Sequence, residues 1–308
     1  MFEDATVLVD GGAGSLGSEI VRRLLQQPVH AVRILDNNEY TLFNLQRELG
    51  ATQKIRCLVG DIRDYERVKD AVQGCDIVIH AAALKNLELT EDNPQECISV
   101  NIHGTQNLLR ASRYAKIKKF CNLSSDKCVN PSTLYGTTKL IAEKVTTWHG
   151  KTTDLKAFNV RLGNIRESRG NVFELWHTQR EWGDKISLTD PAMRRYFMSV
   201  GDAAEFVLEC IDQAEGAETF IPKMKKYNMT DLALTFAEKR ENIKIVGVRG
   251  DEKLDEELMT ETEKKNALNR GDYWVLPNQP VPGRCPCCGG YDCQLCTNKP
   301  CHCGDLPE

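Results

Sequence analysis

The sequence predicts an α/β fold, in which helices cover both faces of a doubly wound parallel sheet. Short β-branched apolar runs, beginning with residues 6–9, alternate along the chain with longer segments whose apolar residues recur at helical spacing. A glycine-rich turn, residues 11–17, directly follows the first of these runs. The 308 residues are enough to bury such a sheet together with a smaller second lobe.

The glycine-rich turn is the first predicted functional element. Gly11, Gly14 and Gly17 allow a tight turn and let a pyrophosphate approach the backbone closely. Residues 18–25 have the spacing of an amphipathic helix, whose N-terminus offers N–H groups and a positive dipole end to phosphate. Asp36 follows nineteen residues after Gly17, at the end of a second apolar run. This strand–turn–helix arrangement predicts a Rossmann-type dinucleotide site.

Later strands bring small and polar residues to the same edge of the predicted sheet. The third strand ends near Asp61, and the fourth runs into the alanines 81–83, whose small side chains let a cofactor lie against the backbone. A long helix is predicted over residues 94–114, and the next strand leads into Ser124. Because ligands of such sheets bind at the carboxyl ends of the strands, the segment after Ser124 is the candidate catalytic segment.

Several side chains that can move a proton follow this strand. Asp126 and Lys127 come directly after Ser125, and Tyr135 and Lys139 are spaced i, i+4, so on a helix they share one face. We expect a neighbouring ammonium, together with the positive charge of an oxidised nicotinamide, to lower the pKa of the Tyr135 phenol and make it a base, with Ser124 or Ser125 as its hydrogen-bond partner. Adjacent opposite charges are ordinarily a solvated surface pair, but their place at a strand end favours a catalytic role.

Composition excludes several functional classes. The formal charge of −4 and the pI near 6.0 give no basic field for nucleic acid. No apolar run is long enough to span a bilayer, and the N-terminus lacks the basic start and apolar core of a signal peptide. We therefore expect a cytoplasmic protein that binds neither nucleic acid nor membrane.

Seven of the thirteen cysteines crowd a short Cys-rich tail, residues 281–308. The tail is too short to bury a core and needs a staple if it folds. Thiolates at Cys-x-x-Cys spacing suit a tetrahedral zinc ion, so the tail is predicted either to bind zinc or to be a thiol-rich segment without metal. The candidate ligands are Cys285, Cys287, Cys288, Cys293, Cys296, Cys301 and Cys303.

These motifs together resemble those of the extended short-chain dehydrogenases/reductases, and within them the 5-inverting UDP-N-acetylglucosamine 4,6-dehydratases of polysaccharide biosynthesis. The Asp126–Lys127 pair is the specific part, because retaining dehydratases commonly carry Asp-Glu there and simple epimerases carry neither. Tyr135 separates the soluble group from membrane-linked dehydratases, which typically have Met at that position. The resemblance covers residues 6–275 and rests on segments 11–17, 81–85, 101–105, 125–127, 135–139, 161–164 and 249–254.

The resemblance implies a redox-neutral dehydration of a UDP-sugar. Tyr135 takes the proton of the 4-hydroxyl as hydride leaves C4 for the cofactor, and Lys127, expected to have a depressed pKa, removes the proton at C5. Asp126, if its pKa is raised, protonates the departing 6-hydroxyl. The hydride then returns to C6, and protonation of C5 from the opposite face gives the inverted 4-keto-6-deoxy sugar. Ser125 and Lys139 complete the expected catalytic set.

The resemblance also implies two domains and two sets of binding residues. A dinucleotide-binding domain is expected at residues 1–165 and a smaller C-terminal UDP-sugar lobe at residues 166–280, some segments of which return to the first domain. The implied substrate-binding residues are Lys85, Arg161, Asn164, Thr189, Arg194, Arg195, Arg249 and Glu252. The expected cofactor-binding residues are Gly11, Gly14, Ser15, Leu16, Gly17, Asp36, Asn37, Asp61, Ile62, Ala81, Ala82, Ala83, Lys85, Tyr135 and Lys139.

The identity of the dinucleotide is open between NADP and NAD. The resemblance implies NADP, held by a basic residue after the second strand, whereas this chain has Asp36 there. A carboxylate at that place normally binds the ribose hydroxyls of NAD. A narrow preference for NADP rests on the breadth of the resemblance.

The expected partners are UDP-N-acetylglucosamine and further copies of the chain in a homo-oligomer. Two alternatives share the fold and cofactor, namely a retaining UDP-N-acetylglucosamine 4,6-dehydratase and a UDP-sugar 4-epimerase. The non-enzymatic alternatives are a dinucleotide-sensing protein and a metal-binding scaffold whose function lies in the tail.

Overall fold

The computed structural model describes residues 2–50, 52–248 and 251–277. Its strands are, in chain order, β1 (Thr6–Asp10), β2 (Ala31–Asp36), β3 (Ile55–Val59), β4 (Ile77–His80), β5 (Lys119–Ser125), β6 (Lys156–Leu162), β7 (Asn164–Ile165), β8 (Ile186–Leu188), β9 (Arg194–Met198), β10 (Thr219–Pro222), β11 (Lys225–Asn228), β12 (Ile243–Ile245), β13 (Leu268–Asn269) and β14 (Tyr273–Leu276).

The helices surround these strands in the predicted alternation. They are α1 (Ser15–Leu24), α2 (Glu39–Leu49), α3 (Tyr65–Val72), α4 (Leu87–Asp92), α5 (Pro94–Ile98), α6 (Thr105–Tyr114), α7 (Leu134–Thr152), α8 (Val172–Glu181), α9 (Val200–Gln213), α10 (Met229–Ala237) and α11 (Glu261–Asn266). One π-helix spans Ser99–Gly104, and 3₁₀ turns span Asp126–Cys128 and Arg240–Asn242.

The main sheet has nine strands in the order β13-β14-β10-β6-β5-β4-β1-β2-β3. Strands β1–β6 and β10 pair in parallel, whereas β13 and β14 add antiparallel pairs at one edge. The strand order reverses between β1 and β4, which opens a crevice at the carboxyl ends of the strands. The predicted doubly wound Rossmann-type sheet is confirmed.

Helices cover both faces of this sheet because their apolar stripes face it. On one face Ile20 and Leu24 of α1 pack with Val207 of α9 in one buried cluster. On the other face Val68 of α3 and Leu108 of α6 belong to a second buried cluster. Burial on two faces explains why the strands read as continuous apolar runs.

The helix predicted over residues 94–114 is interrupted by the π-helix. Its wider turn directs Asn101 toward the loop after β4, where the side chain accepts from the N–H of Leu84 at 2.8 Å and donates to its carbonyl at 2.9 Å. Gly104 lies against Ile62, since a Cβ there would stand 2.5 Å from the Ile62 Cδ1. The interruption therefore follows from contacts with distant loops that helical periodicity does not reveal.

A smaller set of elements stands beside the carboxyl ends of the main strands. Strands β7, β9 and β11 form one sheet and β8 pairs with β12. Their core is a separate buried cluster that includes Trp176, Phe197 and Met229. The chain returns to the main sheet through β10, β13 and β14. The Cys-rich tail, residues 281–308, lies outside the described residues.

Candidate active site

The glycine turn after β1 packs directly against the loop after β4. Gly11 has a φ of 60°, and a Cβ at this position would stand 2.5 Å from the backbone nitrogen of Ala82. A Cβ at Gly17 would stand 2.3 Å from the Gly11 carbonyl oxygen, which explains the third glycine. Helix α1 begins at Ser15 with no side chain capping its first N–H groups. The turn thus leaves backbone N–H groups and a dipole end free for a phosphate.

Asp36 stands at the end of β2, beside the glycine turn. One carboxylate oxygen accepts from the N–H of Ala13 at 3.0 Å, and the other accepts from the N–H of Asn38 at 3.0 Å. These bonds hold a carboxylate at the edge of the crevice where a dinucleotide ribose lies in this fold. The glycine cradle and this carboxylate together fit a nicotinamide dinucleotide.

The segment after β3 completes this side of the crevice. Hydrogen bonding by Arg63 holds the pKa of Asp61 below its usual range, with a further contribution from the side chain of Asn37. Arg63 reaches both Asp61 oxygens, at 3.0 and 2.7 Å, and also pairs with Glu96. Asp61 and Asn37 are therefore neighbours, as a shared cofactor surface requires, while Ile62 is buried.

The 3₁₀ turn after β5 gathers the candidate catalytic groups. Ser125 Oγ donates to Asp126 Oδ1 at 3.0 Å and accepts from the N–H of Lys127. Lys127 Nζ donates to the same Asp126 oxygen at 3.1 Å and to Asn164 Oδ1 at 3.2 Å. Asn164 is held in turn by the carbonyl of Tyr196. The predicted pair is thus fixed at the strand end, and the side chain of Asp126 is fully buried.

Tyr135 lies in this cluster, but its pKa differs from the expected one. Burial raises the pKa of the phenol to about 12, although the charge of Lys127 and the hydrogen bond between the phenol and Ser125 act to lower it. The ammonium by itself therefore does not lower the pKa of the phenol, because the loss of hydration outweighs it. Ser125 is the serine that contacts the phenol.

The two lysines of the cluster have pKa values shifted in opposite directions. Burial lowers the pKa of Lys139 to about 8, and its ammonium donates to the carbonyl of Leu123. Burial also acts to lower the pKa of Lys127, but the charges of Asp126 and Glu256 outweigh it and raise the pKa above its usual value. The expected depressed pKa of Lys127 is therefore wrong in this state of the protein.

Arg161 is not positioned to bind a substrate. It is 2% exposed and donates to both oxygens of Glu143, both oxygens of Glu263 and the carbonyl of Leu258, at 2.8 to 3.0 Å. These bonds use all five N–H donors of a guanidinium. Glu143 also accepts from the thiol of Cys128 at 3.1 Å. The expectation that Arg161 binds the substrate is corrected, because Arg161 instead joins β6 to α7 and α11.

Arg195 organises the loop that follows residue 250. It is 5% exposed and pairs with Glu252 at 2.9 Å while donating to the carbonyls of Lys253 and Leu254. Two predicted substrate residues, Arg195 and Glu252, are therefore partners of each other. Arg194 is more exposed and pairs with Asp255.

The remaining predicted substrate residues are dispersed. Lys85 donates to the carbonyl of Arg169 at 3.0 Å, and its pKa is lowered by burial and by the charge of Lys127. Thr189 follows β8 and is partly exposed. Arg249 lies outside the described residues, as do the seven tail cysteines. Within the described ranges, His, Cys, Asp and Glu form no group suited to a metal ion.

Two buried carboxylates of the site were missed by the sequence reasoning. Glu143 lies on α7 one turn beyond Lys139, and Glu256 lies in the loop beside Lys127. The i, i+4 spacing of Lys139 and Glu143 was a detectable signal. Glu256 stands in an acidic run that reads as solvated surface, so the sequence carried no signal for its burial.

The fold and site define an extended short-chain dehydrogenase/reductase, a class that includes nucleotide-sugar dehydratases and epimerases. Residues 7–278 match the family described as polysaccharide biosynthesis protein, and the chain belongs to this family. A solved structure, Pen from Bacillus thuringiensis, is 36% identical with a TM-score of 0.86, covering 90% of this chain and 89% of its own. The predicted family is confirmed.

Individual relatives carry different names. An uncharacterized membrane protein of Methanocaldococcus jannaschii is 41% identical, over 92% of this chain and 88% of its own length. An inverting UDP-N-acetylglucosamine 4,6-dehydratase of Campylobacter jejuni is 35% identical, over 90% and 84%. A UDP-glucose 4-epimerase of Rickettsia bellii is 32% identical, also over 90% and 84%. In the described part of this chain, no helix has the length and apolar character needed to cross a membrane.

Proposed function

We propose that the protein is a UDP-N-acetylglucosamine 4,6-dehydratase that inverts configuration at C5. The observation that carries the proposal is the Asp126–Lys127 pair, held at the end of β5 beside Tyr135. A dehydratase needs an acid and a base at adjacent carbons in addition to the group that acts at C4. A 4-epimerase needs only the group that acts at C4, so epimerase chemistry does not explain a buried lysine–aspartate pair.

Each residue has a distinct proposed role. The bound nicotinamide dinucleotide supplies hydride acceptance from C4 and hydride return to C6. Tyr135, which shares a hydrogen bond with Ser125, takes the proton of the 4-hydroxyl. Lys127, as the free amine, takes the proton at C5, and protonated Asp126 gives its proton to the departing 6-hydroxyl, which leaves as water. Because Lys127 Nζ and Asp126 Oδ1 are 3.1 Å apart, the proton on Lys127 can then return to Asp126. When hydride returns to C6, C5 takes the proton that Tyr135 accepted from the 4-hydroxyl, so all three side chains regain their starting protonation.

Asp126 has a feature suited to this role. Its Oδ2 is buried and has no hydrogen-bond partner among the described residues, whereas Oδ1 is bonded to Ser125 and Lys127. An unpaired buried oxygen is costly unless a further group meets it. A substrate hydroxyl would be such a group, and a proton on Oδ2 would be directed at it.

The proposed cofactor is NADP, with NAD as the alternative. The resemblance supports NADP, and the position of the Asp36 carboxylate at the crevice edge supports NAD. Mass spectrometry of the dinucleotide released from denatured, freshly purified protein distinguishes the two. Asp36→Ala should improve the affinity for NADP relative to NAD, because a carboxylate repels the 2′-phosphate.

The function is tested by NMR of the product formed from UDP-N-acetylglucosamine in deuterated water. We expect a C6 methyl group, a 4-keto group, deuterium at C5 and the coupling constants of the inverted ring. Retained C5 configuration would identify a retaining dehydratase. A C4 epimer with an intact C6 hydroxymethyl and no deuterium at C5 would identify an epimerase, the function for which one relative is named. Either result would overturn the proposal.

A further inference from the structure

Asp10 and His80 form a buried pair that the proposed mechanism does not use. They are Cα partners at the carboxyl ends of β1 and β4, and their exposed fractions are 0% and 1%. His80 Nδ1 lies 2.7 Å from Asp10 Oδ1, so the two atoms share a hydrogen bond. The strand order reverses between these two strands, which places the pair at the floor of the ligand crevice.

The hydroxyl of Thr105 determines where one proton of His80 lies. Thr105 Oγ1 is 2.8 Å from His80 Nε2 and 2.7 Å from the carbonyl oxygen of Asn101. A carbonyl oxygen can only accept, so the bond to Asn101 uses the single proton of the hydroxyl. The hydroxyl must then accept from His80, and Nε2 therefore carries a proton.

The other ring nitrogen of His80 faces an acceptor as well. With Nε2 protonated, a neutral imidazole has no proton left for Nδ1. The bond between Nδ1 and Asp10 Oδ1 still needs one proton, since two bare acceptors form no hydrogen bond. This proton lies either on Nδ1, beside a carboxylate, or on Oδ1, beside a neutral imidazole. In both arrangements the pair shares one proton and carries no net charge.

The surroundings of Asp10 also favour a neutral pair. Its Oδ2 is buried and has no hydrogen-bond partner among the described residues, which is costly for an ionised group that no proton or cation neutralises. Lys139 is a cation on which the charge of Asp10 acts, but burial lowers its pKa to about 8 and its ammonium donates to the carbonyl of Leu123. His80 is thus the group placed to neutralise Asp10.

The same oxygen of Asp10 holds the loop after β4. Oδ1 accepts from the N–H of Ala82 at 3.1 Å, and the Asp10 carbonyl accepts from the N–H of Ala81 at 3.2 Å. These alanines belong to the loop against which the dinucleotide is expected to lie. Asp10 Oδ1 therefore takes part both in the bond that contains the shared proton and in the bond that fixes this loop.

Hydrogen bonds connect this loop to α7 as well. The side chain of Asn101, whose carbonyl accepts from Thr105, donates to the carbonyl of Leu84 at 2.9 Å and to Thr138 Oγ1 at 3.0 Å. The Thr138 hydroxyl donates in turn to the carbonyl of Tyr135 at 2.8 Å. One buried network thus joins both ends of the loop to the helix that carries Tyr135.

We propose that Asp10 and His80 are positioning residues for the dinucleotide, which hold the loop of Ala81 and Ala82 in place through one shared proton. The shared proton lets Asp10 Oδ1 bond to Ala82 and His80 at once, while Nε2 stays bonded to Thr105. The inference goes beyond the proposed function, because it concerns the dinucleotide site and holds for either a dehydratase or an epimerase.

Heteronuclear NMR of the histidine side chains tests the shared proton without any catalysis. At neutral pH His80 should show a protonated Nε2 and a far-downfield proton in the bond to Asp10, and His80→Gln identifies its signals. His30, which pairs with Asp4 at the surface, should lack such a downfield proton because water exchanges it. A bare Nδ1 beside an ionised Asp10 would overturn the proposal.

Asp10→Asn tests the positioning role, because it keeps the shape of the side chain but cannot hold the shared proton. If the amide oxygen faces Ala82, neutral His80 must put its proton on Nδ1 and loses the bond to Thr105. If the amide nitrogen faces Ala82, two donors meet.

One hydrogen bond is therefore lost in either orientation of the amide, and His80 should show one bare ring nitrogen. The dissociation constant of the reduced dinucleotide, titrated by fluorescence as NADH and as NADPH, should rise about fivefold, the usual effect of losing one hydrogen bond. An unchanged constant overturns the proposal, because a side chain that only fills space tolerates Asn.

The matched control is Ser112→Ala, which removes another buried hydroxyl of α6. Ser112 Oγ has no hydrogen-bond partner among the described residues, so its loss should leave the dissociation constant unchanged. An equal rise there would also overturn the proposal. If Asp10→Asn does not fold, Thr105→Val is used in its place. It removes the acceptor of the Nε2 proton, so His80 should keep only the proton on Nδ1, and a protonated Nε2 would overturn the assignment.

Discussion

Lys127 and Lys139 share one catalytic cluster and are both largely buried, yet the protein shifts their pKa values in opposite directions. Lys127 faces Asp126 and Glu256, whose negative charges stabilise its ammonium. Lys139 has a carboxylate one helical turn away, Glu143, but that carboxylate is already ion-paired with the buried Arg161. Burial alone does not determine the charge of a lysine. What matters is whether nearby carboxylates retain charge that is not already neutralised.

The largest expected effect is the loss of turnover when the Lys127 side chain is removed. Lys127→Ala should lower turnover by about 10²–10⁴, the usual contribution of a general base. Oxidation at C4 needs no base at C5, so reduced cofactor should accumulate and be visible in its absorbance. Lys144→Ala, an exposed lysine on α7, is the control. Elimination of water at the wild-type rate by Lys127→Ala would remove Lys127 from the mechanism.

A second variant tests the acid that keeps Lys127 charged. Asp126→Asn keeps the shape of the side chain but cannot donate a proton to the 6-hydroxyl, so turnover should fall by about 10² or more. The pKa of Lys127 should also fall, because Asp126 is the first of the charges that raise it. Substrate affinity should change little. A loss of binding with unchanged turnover would instead make Asp126 a binding residue.

The ion pair that neutralises Glu143 can be removed by replacing Arg161. Arg161→Met leaves Glu143 and Glu263 buried without their cation, and breaking such a buried network typically costs about 3–5 kcal/mol of unfolding free energy. Denaturant unfolding measures this loss. The surface pair of Arg180 with Glu238 is the control, and Arg180→Met should cost less than about 1 kcal/mol. Equal costs would mean that the buried network contributes no more than a surface pair.

The smallest expected effect concerns Lys139 and depends on pH. Its folded-state pKa of about 8 lies below its usual value of 10.5, so the unfolded chain binds more protons between these values and wild-type stability rises with pH there. Below pH 8 the burial penalty is fully present, and Lys139→Met should be more stable by up to about 3 kcal/mol, since one pKa unit corresponds to about 1.4 kcal/mol. The advantage should shrink from pH 8 to 10.5. A constant difference would contradict the lowered pKa.

The sequence by itself determined the main sheet, the glycine turn and the family. Apolar runs, helical spacing and glycine positions are local properties, and they predict the alternation of strands and helices and the place where a pyrophosphate can approach. The sequence also predicted that Lys127 and Tyr135 lie close together, because Lys127 directly follows β5 and Tyr135 lies at the start of the next helix.

Only the tertiary structure decided which charges meet. Arg161 and Glu263 are 102 residues apart, and Lys127 and Glu256 are also distant in sequence, so no local pattern could reveal either interaction. The burial of these charged side chains depends on how the loop after residue 250 packs over the 3₁₀ turn Asp126–Cys128. The pKa of a buried group follows from its surroundings, and these are assembled from segments that are distant in sequence. The chemistry of the candidate residues was therefore readable in the sequence, whereas their protonation states were decided by the fold.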